Sequence, residues 1–336
     1  MAGAVAAVVE RVYRDSSPDE VERDLASLWR DIARNGHAVA RAVMANLVVL
    51  RVAPSSATDG TEQADSTLES VTSLHPSRTI VIEHERGNDA AEAPSGARVG
   101  ISVFGTSSAP YGVERIIVRS ACADQSLASI VRRFVHGDRP TSVWWTEDLS
   151  QASPGDGLIE IARQLLYDSR AWRDLRSGFQ IVGALARARR VDLADMNWRR
   201  LHPLRRALAH AAPTIRFDGR PRLAITYGRD EAVLAWLLAG WLVTRLKLKS
   251  DEWPTVSDTA AREDILTLSV EDAHNRLTAR MDAQRVVVEL TGAAPMTVAA
   301  FDEHPAESMA AELRSLSRDA ALSDTLEALL ERFTVP

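Results

Sequence analysis

The alternation of apolar runs with a helical segment in the first half of the chain is the feature that most constrains the fold. We predict a buried strand over ANLVVLRV, a helix over TEQADSTLESVTSL and a second strand over RTIVIEHE. A strand, a helix and a strand in this order indicate a right-handed parallel crossover. We therefore expect an α/β sheet in this half of the chain.

Further elements of the same kind surround this crossover. Before it, Ser17, Pro18 and Glu20 form a capping box with proline at the first helical position, which predicts a helix over SSPDEVERDLASLWRDIARNG. After it, four more strands are predicted, over RVGISVFG, VERIIVRSA, TSVWWTE and QLLYDS. Two more helices are predicted, from Ser126 to Val135 and over RDLRSGFQIVGALARARR. An exposed loop is expected over RGNDAAEAPSGA.

The second half of the chain has a different pattern. Strands are predicted over TIRFD and RLAITYG, followed by a helix from Glu231 to Leu246. Four short runs separated by polar turns then indicate an antiparallel sheet, over DILTLSV, NRLTARM, QRVVVEL and MTVAAFD. Two helices are predicted after them, over PAESMAAELRSLSRD and LSDTLEALLERF.

The predicted fold class is therefore α/β in two parts, with a domain boundary near Arg190. An N-terminal α/β domain with a mixed, partly parallel sheet is expected over residues 1–190. A C-terminal α+β domain with a largely antiparallel sheet is expected over residues 191–336. A chain of 336 residues is long for one compact core, which agrees with two domains.

The net charge of −6 limits the classes of partner. Proteins that neutralise nucleic-acid phosphates usually carry a basic domain, so we expect no nucleic-acid partner, although a local basic patch is left open. Cys122 is the single cysteine of the sequence, which excludes an intramolecular disulfide and a zinc site built from several cysteines. An intermolecular disulfide through Cys122 is left open.

Neither a signal peptide nor a membrane span is expected. The first residues, MAGAVAAVVERVYRD, reach Glu10 and Arg11 after a short apolar run and lack a cleavage pattern. The most apolar run, AVLAWLLAGWLVTRL, is too short to cross a bilayer. We therefore expect a cytoplasmic protein without a membrane partner.

The common motifs of enzyme chemistry are absent from the sequence. It has neither G-x-G-x-x-G nor G-x-x-x-x-G-K-[ST], and it lacks G-x-S-x-G and H-E-x-x-H. Glu83 and Glu85 share one face of a strand end and could form an acid–base pair, but a solvated strand end is the commoner outcome. We predict no catalytic residue, no cofactor and no metal ligand.

Trp144 and Trp145 are candidates for a partner interface. Neighbouring strand residues point to opposite faces, so both rings are buried only if each face of the strand is covered. A ring on an open face would be an anchor for a ligand or a partner. We expect at least one of the two tryptophans to pack in the core.

Seven runs stand in a fixed order along both halves of the chain: NLVVL, HPSRTIVI, VERIIV, RPTSVWW, DMNWRRLHPLR, LAGWLVTRL and AAELRSLSRD. With these runs, from about Asn46 to about Asp319, the sequence resembles the OpcA family, the glucose-6-phosphate dehydrogenase assembly proteins. The resemblance implies a two-part architecture and a non-catalytic partner that binds glucose-6-phosphate dehydrogenase. Such a partner promotes the active oligomer of the dehydrogenase or its affinity for substrate.

The segment DMNWRRLHPLRRALAHA, Asp195 to Ala211, carries much of this resemblance. The family block reads aspartate, an apolar residue, any residue, then Trp-Thr-Arg-Leu-Thr-Pro-Trp-Arg. The chain matches it at Asp195, Trp198, Arg200, Leu201, Pro203 and Arg205, and departs from it at Arg199, His202 and Leu204. The resemblance implies a partner-interface role for Trp198, Arg200 and Arg205.

The helix-forming pattern and the charges of this segment permit a second interpretation. Pro203 is expected at the first position of a helix whose leucines face inward, with Arg205 on its surface. Trp198 and Arg200 are expected in an extended or turn segment before it. Alternatively, Trp198 packs between the two domains and Arg200 pairs with Asp195 or with another carboxylate.

Three function hypotheses follow. The first is an assembly factor or allosteric activator of glucose-6-phosphate dehydrogenase without chemistry of its own. The second is a sugar-phosphate-binding protein or an enzyme of the same pathway, such as a lactone hydrolase, with Arg78, Arg200 or Arg205 holding the phosphate. A sugar-phosphate effector of an assembly factor is left open as well. The third, a nucleic-acid binder, is disfavoured by the acidic charge.

Overall fold

The structure is a computed structural model of the 336-residue chain. It describes residues 8–34, 38–52, 60–84, 96–106, 108–121, 126–211, 217, 220–259, 264–300, 304–315 and 317–334. Three predictions, the loop over RGNDAAEAPSGA, the strand over TIRFD and the state of Cys122, lie wholly or mostly outside these residues.

The first sheet contains nine strands in the described part of the chain. Their bounds are Val8–Ser16 (β1), Ala40–Arg41 (β2), Ala45–Val52 (β3), Ser77–His84 (β4), Gly96–Thr106 (β5), Ala109–Ser120 (β6), Thr141–Trp145 (β7), Gln164–Tyr167 (β8) and Asp192–Asp195 (β9). The order is β1-β5-β6-β4-β3-β7-β8-β9, and β2 pairs with β6. Strands β6 to β9 along this order pair in parallel, whereas β1, β5 and β6 pair antiparallel.

Helices cover both faces of this sheet. Their bounds are Val21–Arg34 (α1), Gly60–Leu74 (α2), Leu127–Phe134 (α3), Asp156–Ile161 (α4) and Leu175–Ala188 (α5). Every residue of the central strand β4 is buried, as expected of a parallel strand with both faces covered. The predicted crossover over β3, α2 and β4 is confirmed, because β3 and β4 pair in parallel.

The second sheet contains six strands in the residues described. Their bounds are Arg222–Tyr227 (β10), Thr255–Asp258 (β11), Leu266–Glu271 (β12), Arg276–Met281 (β13), Arg285–Leu290 (β14) and Met296–Ala299 (β15). The order is β11-β10-β12-β13-β14-β15, and only the β10–β11 pair is parallel. Buried and partly exposed residues alternate along β12 and β13, so one face of this sheet lies on the core.

The remaining helices connect the two sheets or pack against them. Their bounds are Met196–Arg200 (α6), His202–Ala211 (α7), Ala232–Leu246 (α8), Pro305–Arg314 (α9) and Ala320–Thr334 (α10). No helix among the described residues combines the length and apolar character that crossing a membrane requires. The predicted fold class is confirmed, with a mixed first sheet and a largely antiparallel second sheet. The boundary near Arg190 stays a prediction.

Some elements of the described chain were not predicted, and all of them except the nine-residue strand β1 are short. Strands β1, β2, β9 and β11 and helix α4 are present without a matching prediction. Strand β9 has only four residues, two of them aspartates, and it is held by pairing with β8. A stretch this short carries no usable periodicity, because its burial comes from its neighbours in the sheet.

Helix α10 packs between α5 and α8 at two glycines. A Cβ atom on Gly183 of α5 would lie 2.6 Å from Cβ of Leu330 and 2.9 Å from the carbonyl oxygen of Leu326. A Cβ atom on Gly240 of α8 would lie 2.9 Å from Cγ of Leu329. Both helices therefore approach α10 more closely than any residue with a side chain would allow.

We expect the Gly183→Ala variant to be less stable than the wild type by roughly 1–3 kcal/mol. The added methyl group meets a backbone oxygen and a Cβ atom, which cannot rotate away, so α5 and α10 must move apart. The higher helix propensity of alanine offsets up to about 1 kcal/mol of this loss. Chemical denaturation measures the difference.

Gly137→Ala is the matched control, because no described atom lies within 4 Å of the added methyl group. This variant is expected to melt with the wild type. Equal stability of the Gly183→Ala variant and the wild type would mean that α5 and α10 can move apart without loss of free energy. That result would contradict a tight contact at Gly183.

Candidate functional site

The segment Asp195–Ala211 begins at the end of β9 and forms two consecutive helices, α6 and α7. The prediction of an extended or turn segment around Trp198 and Arg200 was wrong, since both residues lie in α6. Helix α7 begins at His202, one residue before Pro203. Asp195 causes the difference, because its carboxylate accepts a hydrogen bond from the Asn197 N–H at 2.9 Å and begins α6.

Asp195 is a buried carboxyl group with an unusual pKa. It is 1% exposed, and it also accepts hydrogen bonds from the N–H and the hydroxyl of Ser169, at 3.1 and 2.7 Å. The pKa of Asp195 is raised to about 7, first by burial and second by the negative charge of Asp168, while the hydrogen bonds from Ser169 and Asn197 oppose the shift. The group therefore titrates near neutral pH inside the protein.

Trp198 is buried and holds the start of α10. Its Nε1–H donates to Oδ2 of Asp319 at 2.8 Å, and the Trp198 side chain is part of the main core. The other oxygen of Asp319 accepts from the N–H of Leu322 at 3.0 Å, in the first turn of α10. One carboxylate thus caps α10 and fixes the indole ring.

Arg205 stacks on the same ring. Its Cζ atom lies 3.8 Å from the centroid of Trp198, a cation–π contact. Burial lowers the pKa of Arg205 to about 10; the charge of Asp319 opposes this shift, whereas Arg245 and Arg199 add to it. With this pKa, Arg205 is still charged at neutral pH. Its side chain is half-buried, which corrects the expectation that it lies on the surface.

Arg200 makes a two-pronged ion pair with Glu231, just before α8. Nη1 and Nη2 donate to the two carboxylate oxygens at 2.8 and 2.6 Å, and Nη1 also donates to Oδ1 of Asn197 at 2.9 Å. The alternative in which Arg200 pairs with a carboxylate is thus the arrangement observed. The partner is Glu231, not Asp195.

Three successive residues of α6 consequently bind three different helices. Trp198 binds Asp319 before α10, Arg199 pairs with Glu312 of α9 at 2.6 Å, and Arg200 pairs with Glu231 before α8. We call α6 and these three carboxylates the α6 joint. The joint connects the end of the first sheet to helices from the second half of the chain.

The three carboxylates of the α6 joint were not identified as functional residues from the sequence. Glu312 and Asp319 lie in the run AAELRSLSRD, one of the seven runs of the resemblance. Asp319 also precedes a helix with apolar periodicity, the position of an N-cap. These two signals point to Asp319, whereas Glu231 was identified only as the predicted start of a helix.

Arg78 is fully buried and surrounded by carboxylates. Its Nη1 donates to Oε2 of Glu114 at 2.9 Å and contacts Nε2 of His136 at 2.9 Å, and its Nη2 pairs with Glu22. Burial and the charge of Arg78 lower the pKa of His136, so its ring is neutral and can accept. A phosphate would reach this guanidinium only if a carboxylate moved away. The phosphate contact of Arg78 stays a prediction.

Trp144 and Trp145 lie on opposite faces of β7. Trp145 is 3% exposed in the main core, and Trp144 is half-buried against the smaller cluster that contains Leu47 and Val49. The expectation that at least one of them packs in the core is confirmed. Their role in a partner interface stays a prediction.

Glu83, one of the two carboxylates at the end of β4, is not exposed to solvent. This residue is 7% exposed and forms ion pairs with Arg51 at 2.6 Å and with Arg119 at 3.3 Å. Glu85 lies outside the described residues. Within the residues described, no group of three His, Cys, Asp or Glu side chains is placed to hold a metal ion.

Three solved structures of oxidoreductases have a remote similarity to the chain. Biliverdin reductase from Synechocystis is 10% identical with a TM-score of 0.46, over 85% of this chain and 96% of that one. The 3-ketoreductase KijD10 from Actinomadura kijaniata is 13% identical with a TM-score of 0.45, over 87% and 95%. The UDP-N-acetylglucosamine 3-dehydrogenase GnnA from Acidithiobacillus ferrooxidans is 12% identical with a TM-score of 0.43, over 85% and 95%. Similarity at this level assigns no activity.

Sequence comparison is more informative. A family model described as the glucose-6-phosphate dehydrogenase subunit N-terminal domain matches residues 68–183, and the model of the C-terminal domain matches residues 191–326. A protein from Nostoc punctiforme named as the OxPP cycle protein OpcA is 30% identical over 146 residues. That match covers 41% of this chain and only 30% of the relative's length. The two family matches follow one another along more than half of the sequence, and the chain belongs to the OpcA family.

Proposed function

We propose that this chain binds glucose-6-phosphate dehydrogenase in the cytoplasm and promotes the active oligomer of that enzyme. The match to both family models, each described as a domain of a glucose-6-phosphate dehydrogenase subunit, carries the proposal. The OpcA name of the relative from Nostoc punctiforme supports it. The oxidative pentose phosphate pathway is the setting that this family implies.

We further propose that the chain has no catalytic activity of its own. Asp195 has a pKa of about 7, as a general base would need. It is buried, however, and both of its oxygens accept hydrogen bonds from Ser169 and Asn197. With 1% of its surface exposed, Asp195 makes no direct contact with a substrate in solution, so the raised pKa is a property of the fold in this proposal. Absence of lactone hydrolysis by the isolated protein would support this proposal, whereas turnover would contradict it.

We propose that Trp198, Arg200 and Arg205 serve the partner interface by holding the α6 joint in place. Trp198 is 3% exposed and both arginines are half-buried, so most of their surface already contacts this chain. Trp198 and Arg200 fix α6 relative to α10 and α8, and the neighbouring Arg199 fixes it relative to α9. A partner that binds across both halves of the chain would depend on that geometry. In the same proposal the two domains meet near Arg190, as the ends of the two family matches at 183 and 191 support.

Light scattering and kinetics with the purified dehydrogenase from the same cell test the proposed function. The two proteins are expected to comigrate as a complex at micromolar concentration, and the chain is expected to change the turnover or the substrate affinity of the dehydrogenase. Each measurement is made with and without glucose 6-phosphate, which also tests for a sugar-phosphate effector. The proposal is wrong if the proteins neither comigrate nor alter each other's kinetics.

Arg200→Ala tests the role of the α6 joint. The change leaves Glu231 half-buried without its partner, and the loss of stability is expected to be about 1–3 kcal/mol, between the values for exposed and buried ion pairs. Activation of the dehydrogenase is expected to fall in the folded variant as well. Melting temperature and activation are measured on the same preparation.

Arg206→Ala is the control for this variant, because Arg206 is exposed on the same helix as Arg205. It is expected to retain both stability and activation. Equal losses of activation in both variants would point to a diffuse electrostatic surface, and full activation by Arg200→Ala would remove the joint from the proposal.

Asp195→Asn tests the buried carboxyl group. An unfolded aspartate titrates near pH 4, whereas the folded pKa of Asp195 is about 7. The folded chain thus holds an extra proton between these values, and the contribution of Asp195 to stability falls as the pH rises from about 4 to about 7. Relative to the wild type, the variant is expected to gain in melting temperature across that interval and to change no further above it.

Asp174→Asn is the contrasting control. Hydrogen bonds from Ser177 lower the pKa of this exposed carboxyl group, so its contribution is already present above pH 4 and is lost only in stronger acid. Its difference from the wild type should stay constant between pH 4 and 7. A constant difference for Asp195→Asn in the same series would show that Asp195 is ionised throughout.

A further inference from the structure

A cavity of about 940 Å³ lies in the second half of the chain, between α7, the last turns of α8 and the second sheet. Its floor is formed by inward-facing residues of neighbouring strands, Leu223 of β10, Leu268 of β12 and Leu277 of β13. These three side chains are at most 7% exposed. The floor is therefore an apolar patch of the core-facing side of the sheet.

Aromatic side chains form part of the cavity wall. Trp241 lies near the end of α8, Trp253 lies in the connection to β11, and Phe217 lies between α7 and β10. All three are half-buried. Sites for small molecules typically have volumes of about 300–1,000 Å³ and a mostly apolar lining with a few polar groups. The size and lining of this cavity fit that description.

Two arginines at the cavity lack the counter-ions found elsewhere. Arg222 and Arg245 both line it and are exposed, and within the described part of the chain neither pairs with a carboxylate. Arg220 also lines the cavity, but it pairs with Glu252 at 2.7 Å. Asp251 and Glu252 also line the cavity; Glu252 is the partner of Arg220, which leaves Arg222 and Arg245 with Asp251 as the remaining carboxylate of the lining. Guanidinium groups of this kind suit carboxylates and other oxyanions.

We propose that this cavity binds a small amphiphilic molecule, an apolar body that carries one anionic group. The apolar body lies on the leucine floor between the aromatic rings, where burial of its surface drives binding. The anionic group lies at the exposed edge of the cavity, where it meets Arg245 of α8 and Arg222, the first residue of β10. This proposal stands apart from the proposed function, because its test measures binding to the chain alone.

Helix α7 contacts both the cavity and the Trp198 ring of the α6 joint. Leu208 and Ala209 of α7 line it, and Arg205, one turn earlier on the same helix, stacks on Trp198. A molecule in the cavity thus contacts the helix that holds the indole ring. A molecule bound in the cavity would therefore affect the geometry of the α6 joint through α7.

Isothermal titration calorimetry with three ten-carbon probes tests the proposal on the full chain. Decanoate, decanol and decylammonium share one apolar body and differ in the charge of the head group. Decanoate is expected to bind roughly tenfold more tightly than decanol, because charge-assisted hydrogen bonds add to the apolar term. Decylammonium is expected to bind most weakly.

Substitutions around the cavity locate the binding site. The double variant Arg222→Gln, Arg245→Gln is expected to bind decanoate no more tightly than decanol. Ala209→Trp places a large ring at an exposed position of the cavity wall and is expected to weaken binding of every probe. Arg229→Gln is the control, because Arg229 is exposed and lies outside the cavity lining. It should bind decanoate as the wild type does, and thermal melts show that each variant is folded.

Any of three results overturns the proposal. The first is the absence of decanoate binding at millimolar concentration, and the second is equal affinity for the three probes. The third is decanoate binding that survives unchanged in both the double arginine variant and Ala209→Trp, which would place the molecule elsewhere on the chain.

Discussion

The position of α10 between α5 and α8 is the packing constraint on which the rest of the structure depends. Leu322, Leu326 and Leu329 of α10 are at most 1% exposed, and each fully buried leucine contributes about 1.5–3 kcal/mol. The helices reach this separation because α5 and α8 carry Gly183 and Gly240 at the contacts. Since α5 packs near the first sheet and α8 near the second, one continuous core serves both sheets.

Charged groups then fix the directions of the helices that this core brings together. The guanidinium of Arg200 and the carboxylate of Glu231 face each other as two parallel hydrogen bonds, a geometry that tolerates little rotation of α6 against α8. Ion pairs of this kind add little net stability, because each charge must first lose its water. They make alternative packings costly, since a rotated helix would leave a half-buried charge without a partner. Apolar contacts thus stabilise the fold, and the arginines of α6 make it specific.

The sequence predicted most of the elements and few of the contacts at the site. Long apolar runs such as those of β3 and β4 were found because their own residues carry the pattern. The four-residue strand β9 was missed, since it is too short to carry a period and is buried by its pairing with β8 and by neighbouring helices. Trp198 and Arg200 were selected by their resemblance to a family block, but Asp319 stands 121 residues from Trp198 and Glu231 stands 31 residues from Arg200. Local periodicity cannot predict such long-range pairings. It cannot predict the cavity either, because the cavity walls come from helices and strands that are far apart in the sequence.

The contacts of α6 also set the order in which parts of the protein can fold during synthesis. Trp198 leaves the ribosome long before Asp319, and domains generally fold from the N-terminal side during synthesis. The first sheet can therefore form while the indole ring and the arginine stacked on it still face water. Helix α10 is the last described element to emerge. Only then can Trp198 bind Asp319, can the two glycines pack against α10, and can the shared core be completed. Until that moment the nascent chain carries an apolar surface that a chaperone would recognise.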